Sequence, residues 1–397
     1  MRKANRSCPV CDHDLVIGLH TQRFELPAEH PLSDGYEVVS CIKCGFVYAD
    51  TNITQESYDR FYAQFSKYED AKTGTGGGEK PWDRKRLEYT AKQITGFLKN
   101  PQTKILDVGC ANGGLLKALQ EQGYNDLLGI DPSPLCVNNT RSLGIEAKSG
   151  SIFQPLEISD MDCVILSHTL EHVQDVRGAI NWIDAALKTD KNSCLYIEVP
   201  DATRYSQFVF APFQDFNTEH INHFSFTSLS NLLKLYGFIP IEQGTKTIAS
   251  SPDLLYPAIF TFARRSDTSQ INSLEFDVSL RQKIEEYIRI SRDKMENINN
   301  YLSKALSSIN HILVWGTGQL TFKLLVETSL AKAEIIAFVD SNPVNQGKSL
   351  RNIPIISPDA IRGHPEPIII ASILHQESIA DQIHQMQIPN QIIFLRS

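Results

Sequence analysis

Short, nearly unbroken apolar runs alternate along this chain with stretches whose apolar positions recur every three or four residues. Residues 104–108 (Lys-Ile-Leu-Asp-Val), 128–131, 162–167 and 194–200 read as strands buried on both faces. Leu115, Leu116, Ala118 and Leu119 mark an amphipathic helix after the first of these. Trp82, Leu87, Tyr89, Ile94 and Phe97 mark a lead-in helix before it. Over 270–310 the residues Ile284, Tyr287, Ile288, Met295, Ile298, Leu302, Leu306 and Ile309 recur at helical steps, which predicts one long packed helix. The strand pattern then restarts at 312–318, 335–340 and 368–371. Strands that alternate with helices predict an α/β chain with two such units.

Length supports that division, since 397 residues exceed one ordinary domain. Hydrophobic residues make up 42% and charged ones 21%, which predicts a globular chain. No run approaches the roughly 20 apolar residues of a membrane span. The basic start Met1-Arg-Lys-Ala-Asn-Arg lacks the apolar core of a secretory signal, so a cytoplasmic protein is expected. A net charge of −8 gives no footprint for nucleic acid.

The most informative stretch is Ile105-Leu-Asp-Val-Gly-Cys-Ala-Asn-Gly-Gly-Leu115. A strand enters a glycine-rich turn and then a helix, the corner where nucleotides meet backbone. About twenty residues on, Leu128-Gly-Ile-Asp131 ends a second strand in an acid that can accept hydrogen bonds from ribose hydroxyls. This spelling resembles class I S-adenosylmethionine (SAM) methyltransferases. The resemblance implies cofactor contacts from Asp107, Gly109, Cys110, Asn112 and Gly113, and from Asp131 and Pro132. Ser151 and Ile152 fall where that fold touches adenine, and His168 falls at the rim of the cleft. Residues 238–243 and 258–263 match its closing antiparallel hairpin. A Rossmann domain for another nucleotide is the competing reading.

Cys8-Pro-Val-Cys11 and Cys41-Ile-Lys-Cys44 form two knuckles that can supply four thiolates to Zn²⁺. The 29 residues between them exceed the usual spacing of about 15–20, so an insert hangs between the knuckles. A closed four-thiolate site is structural, and the rival is a redox pair or disulfides. Cys110, Cys136, Cys163 and Cys194 sit singly in apolar surroundings and read as small buried residues. The run Thr73-Gly-Thr-Gly-Gly-Gly78 reads as a mobile loop.

Two clusters could handle protons: His168-Thr-Leu-Glu171-His172, and Glu219-His220-Ile-Asn-His223. His168 and His172 also have the spacing of a metal pair, but a strand-to-loop setting argues against zinc there.

Taken with the C-terminal unit, the order of modules resembles the sugar C-methyltransferases of deoxysugar biosynthesis. The resemblance implies a nucleotide-linked 4-keto-deoxysugar as partner, whose ketone acidifies the neighbouring C–H. It implies Glu219 and His220 as the catalytic pair with His220 as base, Tyr68 as an active-site tyrosine, and His168 in the rim motif. One departure is Asn217, where the family usually carries tyrosine. The expected fold is an α/β SAM methyltransferase core with an N-terminal zinc module and a second, Rossmann-like domain at the C-terminus. The expected divisions are 1–55 (zinc module), 56–268 (SAM domain), 269–310 (connecting helix) and 311–397 (C-terminal domain). An O-methyltransferase on a sugar or polysaccharide precursor is the alternative, and a non-enzymatic zinc and nucleotide scaffold is the third reading.

Overall fold

Ile105–Val108, Cys163–Ser167 and Cys194–Pro200 are neighbouring parallel strands with almost every side chain buried. Their uninterrupted apolar spelling follows from that position, because a strand covered on both faces has no polar side. They belong to a computed structural model that describes residues 1–64, 76–153, 157–251, 254–266 and 274–395. The chain divides into two units. The first comprises Met1–Gly18, Val38–Phe208 and Glu219–Lys283; the second comprises Leu19–Glu37, Val209–Thr218 and Ile284–Ser397.

The first unit is built on a seven-stranded sheet. From one edge the order is Phe238–Ser251, Leu254–Arg265, Cys194–Pro200, Cys163–Ser167, Ile105–Val108, Leu127–Asp131, Glu146–Ser149. The last five are parallel, and the strand pair after residue 237 is the expected antiparallel hairpin. Strand order reverses at Ile105–Val108, so a crevice opens beyond its carboxyl end, where α/β sheets bind ligands. Helix ends are set locally. Ser133 accepts from the Cys136 N–H ahead of a proline at the first turn, and Ser225 and Ser228 form a reciprocal capping pair.

Four strands before residue 51 join Asn222–His223 in a second sheet. Within the first unit, Asn222 pairs with Tyr48 and His223 with Val47, antiparallel. This short pairing ties the N-terminal cysteine module to the segment that follows Glu219 and His220.

The second unit contains a six-stranded sheet in the order Ser349–Leu350, Ile353–Ile356, Glu334–Val339, His311–Trp315, Ile368–Ile370, Ile392–Phe394. All but the first strand run parallel. Leu313, Trp315, Ala337, Val339, Ile368 and Ile370 lie in its core. The long helix is Val278–Leu306, shorter than the periodic stretch that announced it. Ile284, Tyr287, Ile288, Met295, Ile298 and Leu302 are buried, while Leu306 and Ile309 are partly exposed.

Candidate functional site

The strand Ile105–Val108 runs into Gly109 and Gly113, both at φ +76°. A side chain on Gly109 would meet Thr169 Oγ1 at 2.7 Å, and one on Gly113 would meet Thr140 Oγ1 at 2.8 Å. Glycine is therefore required at both places by conformation and by space. Asp131 closes the corner. Its Oδ2 accepts from the Ala111 N–H at 2.9 Å, and its Oδ1 from the Ser133 N–H at 2.9 Å. Burial pushes its pKa up to about 6. Asp107 is pushed up to about 7, first by burial and then by the neighbouring charge of Asp131.

These groups border a cavity of about 300 Å³. Asp107, Gly109, Cys110, Asp131 and Pro132 line it, as do Ser151, Ile152 and His168. Asn112 and Gly113 do not. Asn112 Oδ1 instead accepts from Asn139 Nδ2 at 2.8 Å, and both residues shape the turn behind the cavity. Residues 73–75 of the glycine run lie outside the described residues, and the rest of it is tied to the lead-in helix and the glycine corner. Gly76 and Gly78 donate their N–H groups to Asp83 Oδ2 at 2.8 and 3.0 Å, and Gly76 accepts from the Gly114 N–H at 2.9 Å. Asp83 in turn pairs with Arg86, which lines the cavity.

The other end of the cavity is built by the segment after Cys163–Ser167. His168 stands at φ +55°. Its ring lies between two carboxylates, Nδ1 3.2 Å from Glu171 and Nε2 3.2 Å from Glu198. Burial pulls its pKa down, but the two acids outweigh that and lift it to about 9. Both ring nitrogens of His168 are thus engaged by carboxylates, and that setting favours the imidazolium at neutral pH. Glu198 is fully buried and also bound to Lys246 and Tyr196, a network no apolar pattern announces.

Glu171 and His172 turn inward on a short 3₁₀ segment. Glu171 is 1% exposed, and its Oε2 has no hydrogen-bond partner among the described residues. His172 Nδ1 lies 3.1 Å from the Glu219 carbonyl, to which it donates, and its Nε2 lies 3.9 Å from Glu171 Oε1. The His172 and His220 rings meet edge to face at 4.8 Å, and both line the cavity. Glu219 is buried and does not line it, and its backbone carbonyl meets His172. Tyr68 lies outside the described residues. The ligand atoms of Glu171, His172 and His220 lie within 4.8 Å of one another, so the three side chains share one end of the cavity.

Cys8, Cys11, Cys41 and Cys44 converge, with sulfur separations of 3.6 Å for Cys8–Cys44 and 3.5 Å for Cys11–Cys41. A tetrahedron with Zn–S bonds of about 2.3 Å has edges of about 3.8 Å, so the donor set fits that ion.

Residues 79–243, which carry the glycine corner, Asp131 and the histidine cluster, match the family model of a methyltransferase domain. This part of the chain is a methyltransferase domain. Residues 308–394 match a model described as C2185-like, N-terminal. Among similar solved structures is a SAM-dependent methyltransferase from Methanosarcina mazei, 18% identical, covering 44% of this chain and 97% of its own, with a TM-score of 0.37. The 1,6-didemethyltoxoflavin-N1-methyltransferase of Burkholderia thailandensis, with S-adenosylhomocysteine bound, is 16% identical and covers 57% and 98%, at 0.40. Magnesium protoporphyrin IX methyltransferase from Synechocystis is 17% identical and covers 45% and 79%, at 0.34. No curated protein matches the chain.

Within the first unit, two side chains and one pairing escaped a residue-by-residue reading. Arg86 sits on a lead-in helix with no motif to single it out. Lys246 lies in an antiparallel strand where a charged residue reads as solvent-facing, yet it is 4% exposed. Glu171 and His172 were visible in the rim motif, but nothing local tells that His172 meets His220, 48 positions away.

Proposed function

We propose that the chain transfers a methyl group from SAM to a carbon of a nucleotide-linked 4-keto-deoxysugar. The observation that carries this reading is that the glycine–Asp131 corner and the Glu171–His172–His220 cluster face one cavity. The adenosine would lie along Asp131, Ser151 and Ile152, with ribose hydroxyls donating to Asp131. Arg86 is available to the methionine carboxylate. The methyl then points towards the histidines. There His220 takes the proton beside the ketone, the resulting enolate carbon attacks the methyl, and the sulfur keeps the electron pair of the broken bond and leaves as S-adenosylhomocysteine. We assign His172 to support that base through its edge contact, and His168 to a fixed charge that holds Glu171 in place. Zinc at the four cysteines is read as structural, since four thiolates leave no open position. The parallel sheet after residue 310 is read as a Rossmann-like domain, and the domain boundaries above are kept as part of this proposal. No described helix is long and apolar enough to cross a membrane.

The test is turnover with SAM and a panel of keto and non-keto nucleotide sugars, the new methyl being located by NMR. A methyl on carbon with keto sugars alone is expected. His220→Ala should lower turnover by about 100-fold or more with SAM affinity retained. A methyl on oxygen, or turnover without the ketone, would replace this reading with the O-methyltransferase one.

A further inference from the structure

Arg6 is an unusual residue to bury. It is 7% exposed, two positions before the first metal-type cysteine, and far in sequence from the cavity. Its backbone N–H donates to Asp50 Oδ1 at 2.9 Å, and its carbonyl accepts from Tyr48 at 2.9 Å. Its Nη2 reaches three acceptors, the Val173 carbonyl at 3.2 Å, the Gln174 carbonyl and Asn222 Oδ1 at 3.1 Å, while Nη1 is buried with no hydrogen-bond partner among the described residues.

Those acceptors lie beside the reactive end of the cavity. Val173 and Gln174 directly follow Glu171 and His172. Asn222 is two residues after His220, and its amide donates back to the carbonyls of Leu170 at 3.0 Å and Val173 at 2.7 Å. The Ile221 N–H donates to the Glu171 carbonyl at 3.0 Å, and the Ala49 N–H donates to the Ile221 carbonyl at 2.9 Å. Ala49 and Tyr48 belong to Val47–Asp50, which follows the Cys41–Cys44 knuckle after two intervening residues. One knuckle thus leads to Arg6 and the other to the strand that pairs with Asn222–His223.

We propose that Arg6 is a positioning residue, and that it and the Val47–Asp50 pairing couple the four-cysteine module to the geometry of Glu171, His172 and His220. Metal in the module would then set the register of two segments that meet at the histidine pair. The guanidinium carries its Nη2 to carbonyls of the Val173–Gln174 segment and to the Asn222 side chain at once, and so joins the two segments that bear the histidines. The coupling rests on reading that end of the cavity as the acceptor site only for its effect on turnover.

The test uses the full chain with ¹⁵N-labelled histidine and S-adenosylhomocysteine bound. Imidazole ring spectra are recorded for wild type, for R6M and R6K, and for wild type after zinc chelation. The His172 and His220 signals should move in R6M and on chelation. Affinity for S-adenosylhomocysteine should stay within about threefold, because its corner shares no partner with Arg6. With an acceptor in hand, kcat should fall by about 100-fold for a displacement near 1 Å. If R6M does not fold, R6K decides, since it keeps the charge but not the fork. Unmoved ring signals in the folded variants and on chelation would overturn the proposal. So would an equal loss of homocysteine-product affinity, which would make the module a general stabiliser. Because the rings are read without any acceptor, a failure of the sugar assignment leaves this result standing.

Discussion

His168 should make this protein lose stability as the solution turns alkaline. Its ring sits between Glu171 and Glu198 with a pKa of about 9, against an unfolded value of about 6.5. A folded pKa above the unfolded one stabilises fully below about 6.5, and that stabilisation is lost as pH rises through about 9. The gap of roughly 2.5 units corresponds to about 3 kcal/mol, since each unit is about 1.4 kcal/mol. The side chain is 22% exposed, so solvent screens only part of this. The informative variant is His168→Asn, because asparagine tolerates the positive φ at this position but carries no charge. Urea unfolding of both proteins at pH 6, 7.5 and 9.5 measures the difference. The transition belonging to this unit is the one that shifts when S-adenosylhomocysteine is added. Wild type should exceed the variant by about 3 kcal/mol at pH 6, and the gap should close towards pH 9.5. Asp107 and Asp131 also titrate in the folded state, but they are present in both proteins and largely cancel. A gap that stays constant within about 0.5 kcal/mol across the range would refute the claim that His168 is held as a cation.

Lys246→Met should cost about 3–5 kcal/mol, because it strands the fully buried Glu198 beside only one remaining cation; the double variant with Glu198→Gln should recover much of that, and urea unfolding of the three proteins checks it. Asp131→Asn should weaken S-adenosylhomocysteine binding by about 10- to 100-fold in calorimetry, since the amide has one acceptor atom where two carboxylate oxygens already serve the Ala111 and Ser133 N–H groups. In the wild type the same binding should weaken as pH falls through about 6, the value to which burial lifts Asp131.

What the sequence announced and what it concealed have separate physical causes. Residues 105–108, 163–166 and 194–199 were legible because strands buried on both faces must be apolar at every position, and that constraint is written in consecutive residues. Gly109 and Gly113 were legible because their backbone angles and crowding exclude a side chain. Glu198 breaks its own apolar run, and in isolation it looks like a strand end meeting water. Only the arrival of Lys246 from another strand and His168 from a loop makes a charge tolerable at 0% exposure. A local pattern records which face a residue turns to the core; it does not record which partner waits there.

The same distinction explains why the histidines were sorted differently by sequence and by structure. Spacing grouped His168 with His172, and Glu219 with His220. In space, His168 turns to two acids, and His172 turns to His220. The exchange follows from chain direction. Residue 168 takes a left-handed backbone conformation directly after a strand, which leaves its ring between Glu198 on the adjoining strand and Glu171. The 3₁₀ segment Leu170–His172 then presents Glu171 and His172 to the cavity, where the Glu219 carbonyl fixes the His172 tautomer. Glu219 is thus tied to His172 through its backbone carbonyl, while its neighbour His220 turns a ring to the cavity. Contacts of this kind are made by segments that only the fold brings together, so spacing along the chain could not sort these residues into their spatial groups.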